Sequence, residues 1–355
     1  MVRIGVLGTG RITRRLVADM QSTEGVEVVA IASRMRSRAR WSADQYGIAS
    51  PHGDYQSLID RDDLDAVYIA TPPADHAELA IASARSGKHV LCEKPMVVSP
   101  AELSAVDEAC RLSGVIWMDA TAWLHHERTE AFWKWIGDGR LGEVTHVSAS
   151  VSFYRPFQSD DHRLKAIHGG GCRLDLGWYA AGLILAADAA TRSATGLTSK
   201  DDEAGTSSVY ANAVMEGDVE TRVTAVVQLP SRISATLSCG YDAASRKWFE
   251  VAGSEASLIC DDFTRPWPDR PARCWIHDRA GAVVSESFEG CQERRMIETF
   301  ADFVRSSRTD ATGTVASEAG ESAMKLRSFQ DQCRATTELV AAIGESCRVG
   351  GVVAI

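Results

Sequence analysis

Between Val2 and Asp119, short apolar runs alternate with amphipathic stretches of helical spacing, and this alternation restricts the fold more than any other feature of the chain. Val2–Leu7 reads as a buried strand and Ile12–Met20 as a helix; Val26–Ala32 is a second strand, followed by a helical pattern around Arg38–Tyr46. Leu64–Ala70, Ala74–Ser86 and Lys88–Cys92 continue the series. Ala101–Leu112 is a helix led by Ser99-Pro100, a cap and a first-turn proline, and Val115–Asp119 closes the run. Strand–helix alternation at this spacing predicts a parallel sheet covered on both faces. Near Trp123 the pattern changes. Val144–Phe153, Ser207–Met215, Thr221–Leu229, Ile233–Cys239, Lys247–Ala252, Ala256–Cys260 and Arg273–His277 are β-branched, often alternating, and joined by short turns. Such runs predict a largely antiparallel sheet. Glu293–Val304 and Ala319–Ile343 return to helical spacing. The expectation is an α/β chain of two domains, 1–122 and 123–355.

Bulk properties narrow the function classes. At 355 residues, with 45% hydrophobic and 24% charged residues, each domain can bury its own core. A formal charge of -10 argues against a nucleic-acid or anionic-membrane partner, since both favour basic surfaces. The nine cysteines include no CxxC pair, so zinc and thiol-redox motifs are absent and no metal site is expected. The chain begins MVRIGVLGTG, already a strand and a turn, and no apolar stretch approaches membrane-spanning length. A cytoplasmic protein with no membrane partner is expected.

Five segments carry chemistry. Gly8-Thr9-Gly10-Arg11-Ile12-Thr13 stands between the first strand and the first helix. Glycines there allow a tight turn and the approach of a pyrophosphate, which a helix N-terminus attracts. Gly8, Thr9, Gly10, Arg11 and Ile12 are therefore expected at a dinucleotide, although Thr13 replaces the third glycine of the fingerprint; the alternative is a plain turn. The second strand ends in Ala32-Ser33-Arg34, without the acid that an NAD-preferring domain places on the ribose. Ser33, Arg34 and Arg38 suit a 2′-phosphate, so NADP(H) is expected ahead of NAD(H). The alternative is that Arg34, Arg36 and Arg38 form a solvated helix face.

Ala70-Thr71-Pro72-Pro73 and Cys92-Glu93-Lys94-Pro95 each end a strand at the edge of a parallel sheet where ligands bind. Thr71, Pro72, His76, Glu93 and Lys94 are expected around the cofactor. Lys94 can donate to a substrate hydroxyl or favour the ionised form of a nearby acid; as a surface pair, Glu93 and Lys94 would contribute little. The fifth segment runs from His168 through Gly169-Gly170-Gly171 to Tyr179. Asp175 and Tyr179 are four apart and share a face of the predicted helix. A carboxylate and a phenol so placed can handle a proton at a carbonyl or alcohol, or form a buried pair with a packing role only.

In this order and spacing the five segments resemble the glucose-fructose oxidoreductase/inositol dehydrogenase (Gfo/Idh/MocA) family over nearly the whole chain. The Glu93-Lys94-Pro95 triplet, the Gly169–Tyr179 segment and the Ala252-Gly253-Ser254-Glu255-Ala256 turn carry the resemblance. It implies a Rossmann dinucleotide-binding domain and a C-terminal α+β domain with a large, mixed, mostly antiparallel open sheet, whose far face mediates homodimers or homotetramers. It also implies that Lys94 is the motif lysine, Tyr179 the acid–base group and Asp175 a substrate-binding or orienting acid. A tyrosine at 179 is similar to the branch of glucose-fructose oxidoreductase, dihydrodiol dehydrogenases, aldose dehydrogenases and sugar 3-ketoreductases, and Arg163 matches an arginine of that branch.

The departures from the family are Thr13 and the Trp123-Leu124-His125-His126 stretch. His125, His126, Arg128 and Arg163 are expected substrate contacts. The implied reaction is hydride exchange between a nicotinamide and a hydroxyl or carbonyl carbon of a sugar, ketosugar or cyclitol. Tyr179 exchanges the hydroxyl proton, and Lys94 favours its phenolate. Two other readings stay open: redox-neutral elimination or glycoside cleavage on a retained dinucleotide, and a non-catalytic dinucleotide-binding regulator.

Overall fold

The computed structural model describes residues 1–154, 156–157, 160–196, 207–267, 270–309 and 316–355. The chain divides into two compact units, Met1–Ala122 with Cys291–Arg334, and Trp123–Gly290 with Ala335–Ile355.

In the first unit β1 (Val2–Leu7), β2 (Val26–Ala32), β3 (Ser50–His52), β4 (Ala66–Ile69), β5 (His89–Cys92) and β6 (Trp117–Asp119) form one sheet in the order β3-β2-β1-β4-β5-β6. Every pairing is parallel. β4 and β5 are buried along their whole length, as strands covered on both faces must be. The helices between them are α1 (Arg11–Ser22), α2 (Arg36–Tyr46), α3 (Gln56–Ile59), α4 (His76–Arg85) and α5 (Pro100–Ser113). α5 starts as its sequence predicts: the Ser99 side chain accepts from the Glu102 N–H, and Glu102 Oε2 accepts from the Val98 N–H at 2.9 Å. The order of the strands reverses between β1 and β4, which opens the carboxyl edge for a ligand.

The first unit also takes back part of the C-terminal region, which the sequence reading assigned to the second domain. Met296, Ile297, Phe300, Ala301 and Val304 of α8 (Gln292–Thr309) join Val2, Leu16, Val17 and Met20 in one hydrophobic cluster. The amphipathic face of α8 is thus buried against α1 and β1. α9 (Ala316–Val349) belongs to the first unit up to Arg334 and to the second from Ala335.

In the second unit a nine-stranded sheet contains β7 (Val144–Ser152), β8 (Ser208–Glu216), β9 (Val219–Gln228), β10 (Ser234–Gly240), β11 (Arg246–Gly253), β12 (Ala256–Cys260), β13 (Ala272–Asp278), β14 (Val283–Phe288) and β15 (Val353–Ala354). Its order is β14-β13-β12-β11-β7-β10-β9-β8-β15. β7 and β10 run parallel and the other neighbours antiparallel. Val147, Ala149, Val151, Leu237, Phe249, Val251 and Leu258 alternate onto one face. α6 (Glu127–Gly137) and α7 (Trp178–Thr195) pack against that face, with Phe132 edge-on to Phe249. The other face carries Trp248, Ile259 and Trp275 and the exposed Tyr210, Val214 and Val226. β14 escaped the sequence reading because five of its six residues are exposed, leaving no apolar period to see.

Candidate active site

At the carboxyl edge of the first unit, Gly8 adopts φ +117°, and a Cβ there would lie 2.4 Å from the Ala70 carbonyl oxygen. The turn from β1 into α1 is therefore possible only without a side chain. Thr13 fits where the fingerprint has glycine, because its hydroxyl turns back to donate to the Gly8 carbonyl at 3.4 Å. α1 opens at Gly10 with no side-chain cap and no acid in its first turn, so its N–H groups suit an anion. Beyond β2, Ser33 is buried while Arg34, Arg36 and Arg38 are exposed. Thr71 Oγ1, at the end of β4, is buried with no hydrogen-bond partner among the described residues. An uncapped helix start, a turn at Gly8 that excludes a Cβ and an orphaned hydroxyl fit a dinucleotide.

On this edge one expectation needs correcting and one alternative falls away. His76 is buried and does not point a ring nitrogen at a ligand: Nδ1 lies 2.9 Å from the Pro95 carbonyl and Nε2 3.0 Å from the Thr71 carbonyl. It ties the end of β4 to the loop after β5. Nor do Glu93 and Lys94 act as one surface pair. Glu93 accepts from the Tyr68 hydroxyl at 2.6 Å, and burial raises its pKa above the usual carboxylate range. Lys94 follows it, half-buried. Asp119, which sequence reasoning passed over, ends β6 buried beside the Thr121 hydroxyl, and desolvation pushes its carboxyl up to about 6. Its place as the last residue of an apolar run was the signal available.

In the second unit, Gly170 lets the chain press onto the segment before it. A Cβ there would meet the carbonyl oxygens of Arg163, His162 and Lys165 at 2.6, 2.7 and 2.8 Å. The close approach brings Arg163 Nε to 2.7 Å from Asp175 Oδ2. Asp175 lies in a π-helical turn, Arg173–Gly177, and α7 begins only at Trp178. Asp175 thus stands about one turn before Tyr179 in a continuous helical stretch, in a turn wider than that of an α-helix. Tyr179, half-buried, stands in the first turn of α7. A residue no motif pointed to joins this group: the Tyr241 hydroxyl lies 3.3 Å from Asp175 Oδ2. Burial, reinforced by the charge of Asp175, holds the Tyr241 phenol well above its ordinary pKa.

Two of the expected substrate contacts at the start of α6, Arg128 and His126, hold the structure there. Arg128 has no exposed surface and is paired with Asp262, which is equally buried. His126 caps α6, its Nδ1 accepting from the Arg128 N–H at 3.0 Å, and His125 is buried in the preceding turn. Arg128 and His126 stand where α6 is anchored and capped.

Fold and site together define a two-unit enzyme of the dinucleotide-dependent oxidoreductase class. Residues 2–120 match the model of the oxidoreductase family with an NAD-binding Rossmann fold, and residues 130–259 match the GFO/IDH/MocA C-terminal domain. D-xylose 1-dehydrogenase (NADP(+)) 2 of Haloferax volcanii is 32% identical over 309 residues, covering 86% of this chain and 90% of its own. The dTDP-3,4-didehydro-2,6-dideoxy-alpha-D-glucose 3-reductase of Streptomyces violaceoruber is 30% identical over 355 residues, covering 96% of each chain. A solved 3-ketoreductase of Actinomadura kijaniata, in complex with NADP and TDP-benzene, superposes with a TM-score of 0.80 at 26% identity and 97% coverage of both chains.

The chain belongs to the Gfo/Idh/MocA family and is an NAD(P)-dependent oxidoreductase acting on CH–OH groups. These relatives support net redox chemistry over the redox-neutral and regulatory readings. Among the described residues no helix is long and apolar enough to cross a membrane, and no cluster of His, Cys, Asp and Glu could hold a metal ion.

Proposed function

We propose that the protein is an NADPH-preferring reductase of a ketosugar, with a nucleotide-linked 3-ketosugar as the first candidate. The observation that carries this reading is the fixing of Asp175 by Arg163, at 2.7 Å, in the turn that leads into the helix bearing Tyr179. Gly8, Thr9, Gly10, Arg11 and Ile12 would hold the pyrophosphate, Ser33, Arg34 and Arg38 the 2′-phosphate, and Thr71, Pro72 and Lys94 the nicotinamide end. When bound, the nicotinamide supplies or accepts the hydride.

The chain's own groups do the rest. Tyr179 Oη gives its proton to the carbonyl oxygen on reduction and recovers it in the reverse direction. Lys94 would supply a positive charge at the nicotinamide end of the first unit, which favours negative charge developing on a substrate oxygen. Asp175 and Arg163 bind neighbouring hydroxyls and so orient the ring. The full-length match to a dTDP-linked ketosugar reductase supports the nucleotide-linked substrate, and the match to a D-xylose dehydrogenase supports a free aldose as the second candidate. The protein would work in the cytoplasm as a homo-oligomer formed through the sheet face that carries Trp248, Ile259 and Trp275. Sedimentation of the wild type tests that assembly.

The deciding experiment titrates the purified protein with NADPH and NADH by fluorescence, then follows nicotinamide absorbance with dTDP-linked 3-ketosugars, D-xylose and cyclitols. NADPH is expected to bind at least about tenfold more tightly than NADH, a difference of about 1.4 kcal/mol, and a ketosugar to consume it. Tight binding with no absorbance change on any sugar would overturn the proposal. Tyr179→Phe should lower kcat by about 10²- to 10⁴-fold, the span of general acid–base catalysis, with NADPH affinity kept. Normal turnover would remove the tyrosine from the mechanism.

A further inference from the structure

We infer that Tyr241 is a positioning residue for Asp175, and that it sets the affinity for the substrate hydroxyls rather than the rate of hydride transfer. The inference rests on the reading of Asp175 as a substrate-binding group.

Asp175 sits where the backbone alone holds a side chain loosely. Its turn is π-helical, and its N–H reaches back to the Gly171 carbonyl at 3.2 Å. Arg163, its cationic partner, comes from a single 3₁₀ turn, His162–Leu164, and its Nη1 also reaches the Asp161 carboxylate at 3.5 Å. A guanidinium carried on an irregular turn can swing, and a carboxylate paired with it can follow. Tyr241 supplies the second hold from a rigid place. It follows β10 directly, and its N–H donates to the Thr221 carbonyl of β9 at 2.9 Å. Its ring packs against Phe153 and Phe157, with centroids 5.3 and 4.9 Å away. The Tyr241 hydroxyl therefore meets Asp175 Oδ2 from the sheet, across 66 residues of chain, while Arg163 Nε meets the same oxygen from the loop. Two donors on one oxygen fix the direction in which the carboxylate faces.

Tyr241→Phe removes the hydroxyl and keeps the ring contacts that fold the site. The expected result is a KM for the ketosugar raised about tenfold, the lower end of what a hydrogen bond to a charged group contributes. The kcat should change by less than about twofold, and the Kd for NADPH should stay unchanged. In an Asp175→Ala background, or Asp175→Asn if the alanine variant does not fold, the same change should raise KM by less than about twofold, because the partner is gone. An unchanged KM in Tyr241→Phe overturns the inference, and so does a full effect that persists without Asp175. A loss confined to kcat does the same.

A wild type that turns over no sugar would instead sink the functional reading. The contact itself is then read by thermal denaturation of Tyr241→Phe, Asp175→Ala and the double variant: the double variant should lose less Tm than the two single losses together, and strictly additive losses overturn the pairing.

Discussion

Arg128→Met separates a residue that holds the second unit together from one that touches substrate. Arg128 Nη1 pairs with the Asp262 carboxylate, and Nη2 donates to the carbonyls of Asp262 and Phe263 at 3.2 and 3.3 Å. The guanidinium carbon also lies 5.7 Å from the centre of the Phe132 ring. Methionine keeps much of the apolar volume but strands the Asp262 carboxylate, which has no exposed surface. The Trp267 N–H at 3.2 Å and the Cys260 thiol at 3.5 Å remain near it, while Lys247 and Arg273 act on it only by charge, without a hydrogen bond to its carboxylate among the described residues. Removing one partner of a buried ion pair costs about 3–5 kcal/mol. At about 2–4 °C per kcal/mol for a unit of this size, Tm should fall by about 6–20 °C. Urea denaturation and calorimetry of the purified variant give both numbers. Arg128→Met with Asp262→Leu should recover most of the loss, because no charge is then left buried alone. A loss under about 1 kcal/mol, together with a raised KM for the sugar, would refute the reasoning and return Arg128 to the substrate.

Three further outcomes are expected. Gly8→Ala forces a Cβ to within 2.4 Å of the Ala70 carbonyl at φ +117°, so the turn must move; NADPH affinity should fall at least about tenfold in a fluorescence titration. Arg34→Ala removes an exposed cation beyond β2; it should weaken NADPH about tenfold and leave NADH unchanged, as a charge-assisted contact to a phosphate requires. Asp119 has its folded pKa pushed up from 3.8 to about 6, so its contribution to stability is full below the lower value and is lost as pH rises through the upper one. Over that window the loss is about 3 kcal/mol, and Asp119→Asn should abolish it in denaturation curves taken from pH 4 to 7.

Much of the architecture was legible along the chain. The alternation from Val2 to Asp119 predicted a parallel sheet because residues buried on both faces must be apolar in short unbroken runs. The strands from Val144 onward showed because one face of their sheet is buried and the other is not. Gly8 was legible because only glycine can take its conformation, and Ser99-Pro100 because a helix start satisfies its N–H groups locally. Lys94, Asp175 and Tyr179 could be singled out because they stand in motifs of fixed spacing.

What the sequence determined by itself, then, is local: element type, caps, tight turns and the segments that bear chemistry. The tertiary structure decided which distant residues meet. It returned α8 to the first unit, where Phe300 and Ile297 complete a core begun at Val2. It gave Arg128 a buried partner at Asp262 and His126 a helix to cap. It widened the turn at Asp175 and brought Tyr241 to that carboxylate. The physical reason is the same in each case. Periodicity and capping act over a few residues, whereas the pairing of buried polar groups is set by what lies beside them once the core has closed, and no spacing along the chain encodes that neighbour.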